Sequence, residues 1–156
     1  MTKKSSLSCY ISKDLLFLNT NFSSTNELFQ AVSKRGLKYG LVNDKFLPSI
    51  IQREAKFPTG LELGNVNVAI PHTDVDTIEH PFIALNTNSQ GISFCRMDDS
   101  TVHIQARVIF ILGMKEPHAQ LELLQSLMNA IQNPTTLNNL VNAQNFDDVL
   151  KVLQDY

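Results

Sequence analysis

A histidine stands at the end of a clear alternating apolar run in this chain. Val66, Val68 and Ile70 recur at every second position, which predicts a strand with one buried face. Pro71 has no backbone N–H and cannot donate to a sheet ladder, so we expect the strand to end there. His72 would then begin a loop and be held by the strand before it. Residues that do chemistry often occupy such a position, although a surface histidine in a turn would show the same local pattern.

Two further residues, Arg53 and His118, could act with His72 in the transfer of a phosphoryl group. An imidazole is partly unprotonated near neutral pH and is then a good nucleophile. An arginine offers a fork of donors to phosphate oxygens, and a helix N-terminus adds unpaired N–H groups. Phosphoryl transfer depends on this kind of positioning and charge stabilisation. Taken singly, Arg53 beside Glu54 also fits a solvated helix face, and His118 also fits an exposed first turn.

The predicted elements bring these three residues towards one edge of a sheet. A helix beginning near residue 43 would carry Arg53. The apolar run 108–112 predicts a central strand buried on both faces, and the helix that opens at His118 follows it after a short loop. Loops at the ends of central strands meet at one edge of an α/β sheet, which is where such proteins usually bind ligands. Further strands are expected at about 9–18, 66–70, 82–85 and 92–97, and further helices at about 25–35, 135–142 and 146–155.

The order of these elements predicts an α/β fold in which a mixed sheet is covered by helices. Ser24 and Glu27 have capping-box spacing at the start of the first helix, and Gly36 is its expected stop. Residues 1–8 precede the first apolar segment and are expected to be flexible. The remaining residues, 9–156, are expected to form one domain.

The composition favours a globular protein of the cytoplasm. Apolar residues make up 43% of the chain and charged residues 18%, and the net charge of −2 argues against a nucleic-acid-binding protein. No apolar run is long enough to span a membrane, and the N-terminal residues are not expected to form a signal peptide. The two cysteines lack CxxC spacing, and His80 and His103 have no partner at metal-ligand spacing, so no metal site is expected. Without a P-loop or a dinucleotide fingerprint, no cofactor is expected either.

Three motifs occur in an order that matches a known family. Residues 53–60 are Arg-Glu-Ala-Lys-Phe-Pro-Thr-Gly, residues 68–72 are Val-Ala-Ile-Pro-His, and residues 118–124 are His-Ala-Gln-Leu-Glu-Leu-Leu. From about residue 9 to the C-terminus, the chain resembles the IIA components of the sugar phosphotransferase system (PTS). The resemblance is to the fructose–mannitol (type-2) superfamily, and the motif at 53–60 most resembles the galactitol-type branch.

This resemblance implies a mixed five-stranded sheet between helices and a cytoplasmic phosphohistidine phosphotransferase. His72 matches the histidine that takes a phosphoryl group from phospho-HPr and passes it to a cysteine of a IIB component. Through IIB and a IIC membrane permease, the group reaches a sugar or polyol such as galactitol during uptake. His118 matches a second active-site histidine, and Arg53 matches the arginine that supports the phosphoryl group. The sequence leaves open which ring nitrogen of His72 is phosphorylated and which sugar is transported.

Thr73 stands where many fructose-type relatives have glycine. Its hydroxyl has two candidate roles, which are to bind the phosphoryl group or to cap the turn. The acidic residues that follow, Asp74, Asp76 and Glu79, are either a solvated loop or a docking site for a basic partner protein.

The resemblance also allows one alternative function. The chain could be a regulatory PTS-type domain, in which the phosphorylation state of His72 controls a partner protein and no sugar is transported. The intact trio of His72, His118 and Arg53 argues against a purely structural domain.

Overall fold

The fold is a mixed five-stranded sheet with helices on both faces, as the sequence predicted. A computed structural model describes residues 7–156. The strands are β1 (Ile11–Thr20), β2 (Gly60–Leu61), β3 (Asn67–Ala69), β4 (Phe82–Cys95) and β5 (His103–Gly113). The helices are α1 (Thr25–Lys38), α2 (Phe46–Lys56), α3 (Pro117–Ile131), α4 (Pro134–Val141) and α5 (Phe146–Leu153). Single 3-10 turns cover Leu7–Cys9 and Val75–Thr77.

The strand order β1-β4-β5-β3-β2 places β5 at the centre of the sheet. β5 is antiparallel to β4 and parallel to β3, β1 is parallel to β4, and β2 is antiparallel to β3. Because β3 and β5 run in the same direction, their carboxyl ends lie at the same edge. The chain after β3 and the turn from β5 into α3 therefore leave the sheet side by side.

Alternate side chains of β5 enter two separate cores. Val108, Phe110 and Leu112 pack with α3, α4 and α5 on one face of the sheet. Ile109 and Ile111 pack with α1 and α2 on the other face. All five side chains are at most 1% exposed, which confirms the prediction of a strand buried on both faces. Burial on this scale makes β5 the rigid element against which the edge loops are placed.

One strand occupies the region where the sequence predicted two. β4 runs from Phe82 to Cys95, with an irregularity between Thr87 and Ile92 where Gly91 has a φ of 78°. The polar stretch between the two predicted strands resembles a loop in the sequence, because its hydrogen-bond partners are distant along the chain. The Asn86 amide donates to the carbonyl of Phe17 at 2.9 Å, so its polar side chain serves the neighbouring strand β1.

Gly36 does not end α1 as predicted, because the helix continues to Lys38. A Cβ atom at position 36 would lie 2.9 Å from a methyl carbon of Val42, so the glycine is needed for a close approach. The left-handed residue comes later, at Gly40, with a φ of 70°. The other end is as predicted, since the hydroxyl of Ser24 accepts the N–H of Glu27 at 3.1 Å.

The described chain is packed from its first residue. Leu7 is 1% exposed, and its N–H donates to the carbonyl of Tyr156 at 2.9 Å. Residues 1–8 were predicted to be flexible, and residues 1–6 of this segment lie outside the described part of the chain. Among residues 7–156, no helix is long and apolar enough to cross a membrane.

Candidate functional site

His72 lies beyond β3, but its backbone is still attached to β5. The N–H of Leu112 donates to the carbonyl of Pro71 at 3.0 Å, and His72 forms a parallel bridge with Leu112. Pro71 supplies the accepting carbonyl and needs no N–H of its own at this position. The imidazole therefore starts from a backbone that the central strand holds in place.

The tautomer of the His72 ring is fixed by its own strand. The ring nitrogen Nδ1 lies 2.8 Å from the carbonyl oxygen of Ile70. A carbonyl can only accept, so Nδ1 must carry the hydrogen and donate it. In the neutral ring this leaves the lone pair on Nε2, which is the atom free to act as a nucleophile.

The surroundings of His72 favour the neutral imidazole. Burial of the ring lowers its pKa below the usual 6.5, the Ile70 carbonyl opposes this by stabilising the charged form, and the positive charge of Arg53 lowers the pKa further. The lone pair on Nε2 is therefore available at neutral pH and somewhat below it.

His72 opens into a cleft of about 420 Å³ between the loop after β3, the last turn of α2 and the first turn of α3. The residues that line it are Arg53, His72, Thr73, Asp74, Val75, Asp76, Pro117 and Gln120. The structure thus brings together His72, Arg53 and Thr73 of the predicted site residues. Asp74 and Asp76 add negative charge to one wall, so the acidic loop borders the cleft directly.

Arg53 is held loosely at the side of this cleft. One guanidinium nitrogen lies 4.0 Å from a carboxylate oxygen of Asp74, and both side chains are well exposed, at 42% and 70%. The guanidinium carbon also lies 5.0 Å from the centre of the Phe57 ring. A solvated ion pair at this distance is weak. Most donors of Arg53 are therefore available to an anion that enters the cleft.

The neighbouring Glu54 shapes the chain that follows α2. Its two carboxylate oxygens accept the N–H of Thr59 at 2.9 Å and the hydroxyl of Thr59 at 2.8 Å. Burial raises the pKa of Glu54 to about 7, although both bonds from Thr59 act to lower it. Glu54 is thus the residue that connects the helix bearing Arg53 to β2, which begins at Gly60.

The hydroxyl of Thr73 is directed to α2. Thr73 is 3% exposed, and its Oγ1 forms a short hydrogen bond with Oγ of Ser49. Ser49 precedes Arg53 by one helical turn, so this bond joins the loop of His72 to the helix of Arg53. Of the two protons in the hydroxyl pair, one is used between the two oxygens and the other remains for a further acceptor.

His118 is not among the residues that line the cleft. Its side chain is 73% exposed, and Nε2 lies 3.0 Å from a carboxylate oxygen of Glu122, one turn further along α3. The residue of this turn that lines the cleft with Pro117 is Gln120. The N-terminus of α3 has no side-chain cap. Its first N–H groups are therefore not used by a side-chain cap, and this helix end adjoins the cleft through Pro117.

The remaining histidines show no metal-binding arrangement. Within residues 7–156, no group of three or more His, Cys, Asp or Glu side chains is placed to hold a metal ion. His103 opens β5, and its Nδ1 lies 3.4 Å from Oγ of Ser93 and 3.8 Å from Sγ of Cys95.

Sequence reasoning did not identify Ser49 or Gln120. Ser49 lies four residues before Arg53, and this helical spacing would have placed both residues on one face of α2. No signal marks Gln120, because a glutamine in a first helical turn is an ordinary surface residue. Only the packing of α3 against the loop after β3 reveals it.

Comparison with solved structures places this fold in a known class. The chain matches mannitol IIA from Escherichia coli in its complex with phosphorylated mannitol IIB, with a TM-score of 0.75 and 21% identity over 94% of this chain and 98% of that chain. The nitrogen regulatory protein IIA-Ntr from Neisseria meningitidis gives a TM-score of 0.75 and 19% identity, over 93% and 97% of the two chains. The fold is therefore that of the IIA domains.

The sequence comparisons define the family. Residues 9–156 match the family model "Phosphoenolpyruvate-dependent sugar phosphotransferase system, EIIA 2", and the chain belongs to this family. The galactitol-specific EIIA component of Escherichia coli strain K12 is 28% identical over 78% of this chain and 80% of its own length. The mannitol-specific IIA component of Mycoplasma pneumoniae is 30% identical over 90% of this chain and 94% of its own length.

Proposed function

We propose that the chain is a phosphocarrier in which Nε2 of His72 accepts a phosphoryl group from phospho-HPr. The lone pair of Nε2 attacks the phosphorus, and the bond between phosphorus and the donor's ring nitrogen breaks. The electron pair of that bond returns to the donor ring. The observation that carries the proposal is the hydrogen bond from Nδ1 of His72 to the Ile70 carbonyl, at 2.8 Å, because it leaves Nε2 as the free nucleophile.

The charge on the phosphoryl oxygens would be stabilised by Arg53 and by the N-terminus of α3. Arg53 lines the cleft with most of its donors unused, and the helix end contributes a positive dipole end. The spare proton of the pair formed by Thr73 and Ser49 would add a hydrogen bond. His118 would contribute less than Arg53, because its side chain is exposed, is paired with Glu122 and does not line the cleft.

In the second half of the reaction, a cysteine thiolate of a IIB component would attack the phosphorus and leave the lone pair on Nε2. The carrier would act in the cytoplasm and deliver the group through IIB to a IIC permease. A IIA protein from Escherichia coli has been solved with its phosphorylated IIB partner in this same fold. The similarity to galactitol-specific components supports a galactitol-like polyol as the cargo.

A regulatory role is the second candidate function, and one relative favours it. A probable licABCH operon regulator of Bacillus subtilis is 27% identical over 92% of this chain, which spans 21% of that protein. In this alternative His72 is phosphorylated in the same way, and its phosphorylation state controls a partner protein.

The test is phosphorylation by phosphoenolpyruvate, enzyme I and HPr, read as intact-protein mass before and after mild acid. We expect the wild type to gain one acid-labile phosphate, since phosphohistidine is hydrolysed by acid, and His72→Ala to gain none. The matched control is His103→Ala, which removes a histidine from a strand of the same sheet and should leave the gain unchanged. A wild type that gains no phosphate would contradict both candidate functions.

The two functions are separated by adding purified galactitol-type IIB to the phosphorylated protein. Loss of the phosphate from the wild type to the IIB cysteine supports the carrier. Retention of the phosphate in the presence of active IIB supports the regulatory role.

A further inference from the structure

A polar side chain with an unpaired atom belongs to a residue that lines the His72 cleft. Among the described residues, the buried side-chain atoms without a hydrogen-bond partner are Oδ1 of Asn86, Nε of Arg107 and Oε1 of Gln120. Of these three residues, Gln120 lines the cleft. A buried carbonyl oxygen without a donor raises the free energy of the folded state, so a side chain placed in this way calls for a function.

The position of Gln120 is fixed by the first turn of α3. Its backbone N–H donates to the carbonyl of Glu116 at 3.1 Å, so the side chain starts from hydrogen-bonded helical backbone. The same turn places Pro117 in the wall of the cleft and directs His118 outward to Glu122. Within this turn, Gln120 is therefore the polar side chain that faces the same space as His72 and Arg53.

We propose that Gln120 is a phosphoryl-binding residue of this site, an inference that rests on the proposed function. The side-chain amide of Gln120 carries an NH₂ with two donors beside the unpaired oxygen Oε1. Once His72 carries a phosphoryl group, the NH₂ donates a hydrogen bond to one of its oxygens.

A neutral amide suits this cleft for an electrostatic reason. Burial and the charge of Arg53 already lower the pKa of His72, and Arg53 supplies the cation that the phosphoryl group needs. An amide adds a directed donor without a second charge, and it does not titrate. The contribution of Gln120 to transfer is therefore expected to be the same from pH 6 to pH 8, unlike that of a histidine.

The experiment compares Gln120→Leu and Gln120→Glu with the matched variants Gln125→Leu and Gln125→Glu. Gln125 is an exposed glutamine of the same helix and does not line the His72 cleft. The measurements are the rate of phosphorylation by phospho-HPr, the half-life of the phosphohistidine and the melting temperature. We expect Gln120→Leu to slow phosphorylation by about 10-fold, the usual effect of losing a hydrogen bond to a charged group. Gln120→Glu should slow it further, because a carboxylate repels the phosphoryl group.

The melting temperature separates this role from a structural one. Gln120→Leu removes an unpaired buried oxygen, so it should melt at or above the wild-type temperature while it transfers more slowly. If Gln120→Leu and Gln125→Leu are phosphorylated at the same rate, Gln120 does not bind the phosphoryl group, and the proposed function still stands. A wild type that accepts no phosphate overturns both proposals. Should Gln120→Leu fail to fold, the same comparison is made with Gln120→Asn, whose shorter amide must also slow the transfer.

Discussion

Two histidines lie at strand ends of this sheet, one just beyond β3 and one at the start of β5, in very different environments. His72 is partly buried at a strand end, and its Nδ1 donates to a main-chain carbonyl at 2.8 Å. His103 is exposed at the start of β5, and its Nδ1 lies 3.4 Å from Ser93 and 3.8 Å from Cys95. Each also has an arginine nearby in the fold, Arg53 for the first and Arg96, next to Cys95, for the second.

The arginines show what separates the two regions. Arg96 is engaged by Asp98 at 2.6 Å and by Glu62 at 3.2 Å, so its donors are already paired. Arg53 has one distant carboxylate, at 4.0 Å, and can reorganise around an incoming anion. The proposed site at His72 therefore combines a ring with one fixed tautomer and a cation with unused donors. The presence of histidine and arginine alone does not define such a site.

The largest expected effect is that of removing the guanidinium group of Arg53. We expect Arg53→Ala to slow phosphorylation of His72 by about 10²–10³-fold, the usual cost of losing a main electrostatic group for the transferred charge. Arg96→Ala should leave the rate unchanged, since its donors serve Asp98 and Glu62. The measurement is the initial rate with phospho-HPr at fixed ionic strength. Equal effects of the two substitutions would remove the distinction drawn between the two arginines.

The next largest effect is on the pH dependence of the stability of the fold, through the carboxyl group of Glu54. Burial raises the pKa of Glu54 to about 7, so between pH 4.5 and 7 the folded state binds more protons than the unfolded state. Stability should therefore fall as the pH rises through this window. We expect Glu54→Gln, whose amide can still serve both groups of Thr59, to be more stable than the wild type above pH 7 by about 1–3 kcal/mol. Urea unfolding at pH 5 and pH 8 measures the difference in free energy of unfolding between Glu54→Gln and the wild type. A difference of equal size at both pH values would contradict the raised pKa of Glu54.

A third prediction concerns the pKa of the His72 imidazole. The pKa of His72 is lowered chiefly by burial, and the unfolded chain therefore binds the proton first as the pH falls below 6.5. The contribution of His72 to stability is thus lost as the pH decreases from 6.5 to its lowered value. We expect an NMR titration to give a pKa for His72 below 6.5 that rises in Arg53→Ala but does not reach the free value. A wild-type pKa above 6.5 would contradict the burial argument.

The smallest measurable effect should come from the hydroxyl pair. Ser49→Ala and Thr73→Val each remove one partner of the bond between α2 and the loop of His72. We expect each to slow phosphorylation by about 5-fold or less, and the double variant to be no slower than either single one, because both remove the same bond. Cys95→Ser serves as the control from the region of His103 and should behave as the wild type. Independent, multiplying effects of Ser49→Ala and Thr73→Val would show that the hydroxyls do not act together.

Much of this architecture was predictable because local patterns dictate it. The run 108–112 favoured a central strand buried on both faces, and the alternation before Pro71 placed His72 at the strand end. Polar stretches were harder to interpret, since residues 86–91 resemble a loop until β1 provides partners for Asn86 and Asn88. The same limit applies to the site. Arg53 and His72 follow from their motifs, whereas the different directions of His118 and Gln120 depend on how α3 packs against a loop about 45 residues earlier.

The hydrogen bond between Leu7 and Tyr156 makes the described main chain almost a closed ring. When two ends already meet, a short peptide joining them adds little loop-closure entropy. The order of the helices and strands along the chain can then be changed without changing the structure that they form. A circular permutant joined across residues 7 and 156 and opened at the exposed Gly64, which has a φ of 95°, should therefore rebuild the same sheet, with β3 and β5 still meeting at the edge that holds His72.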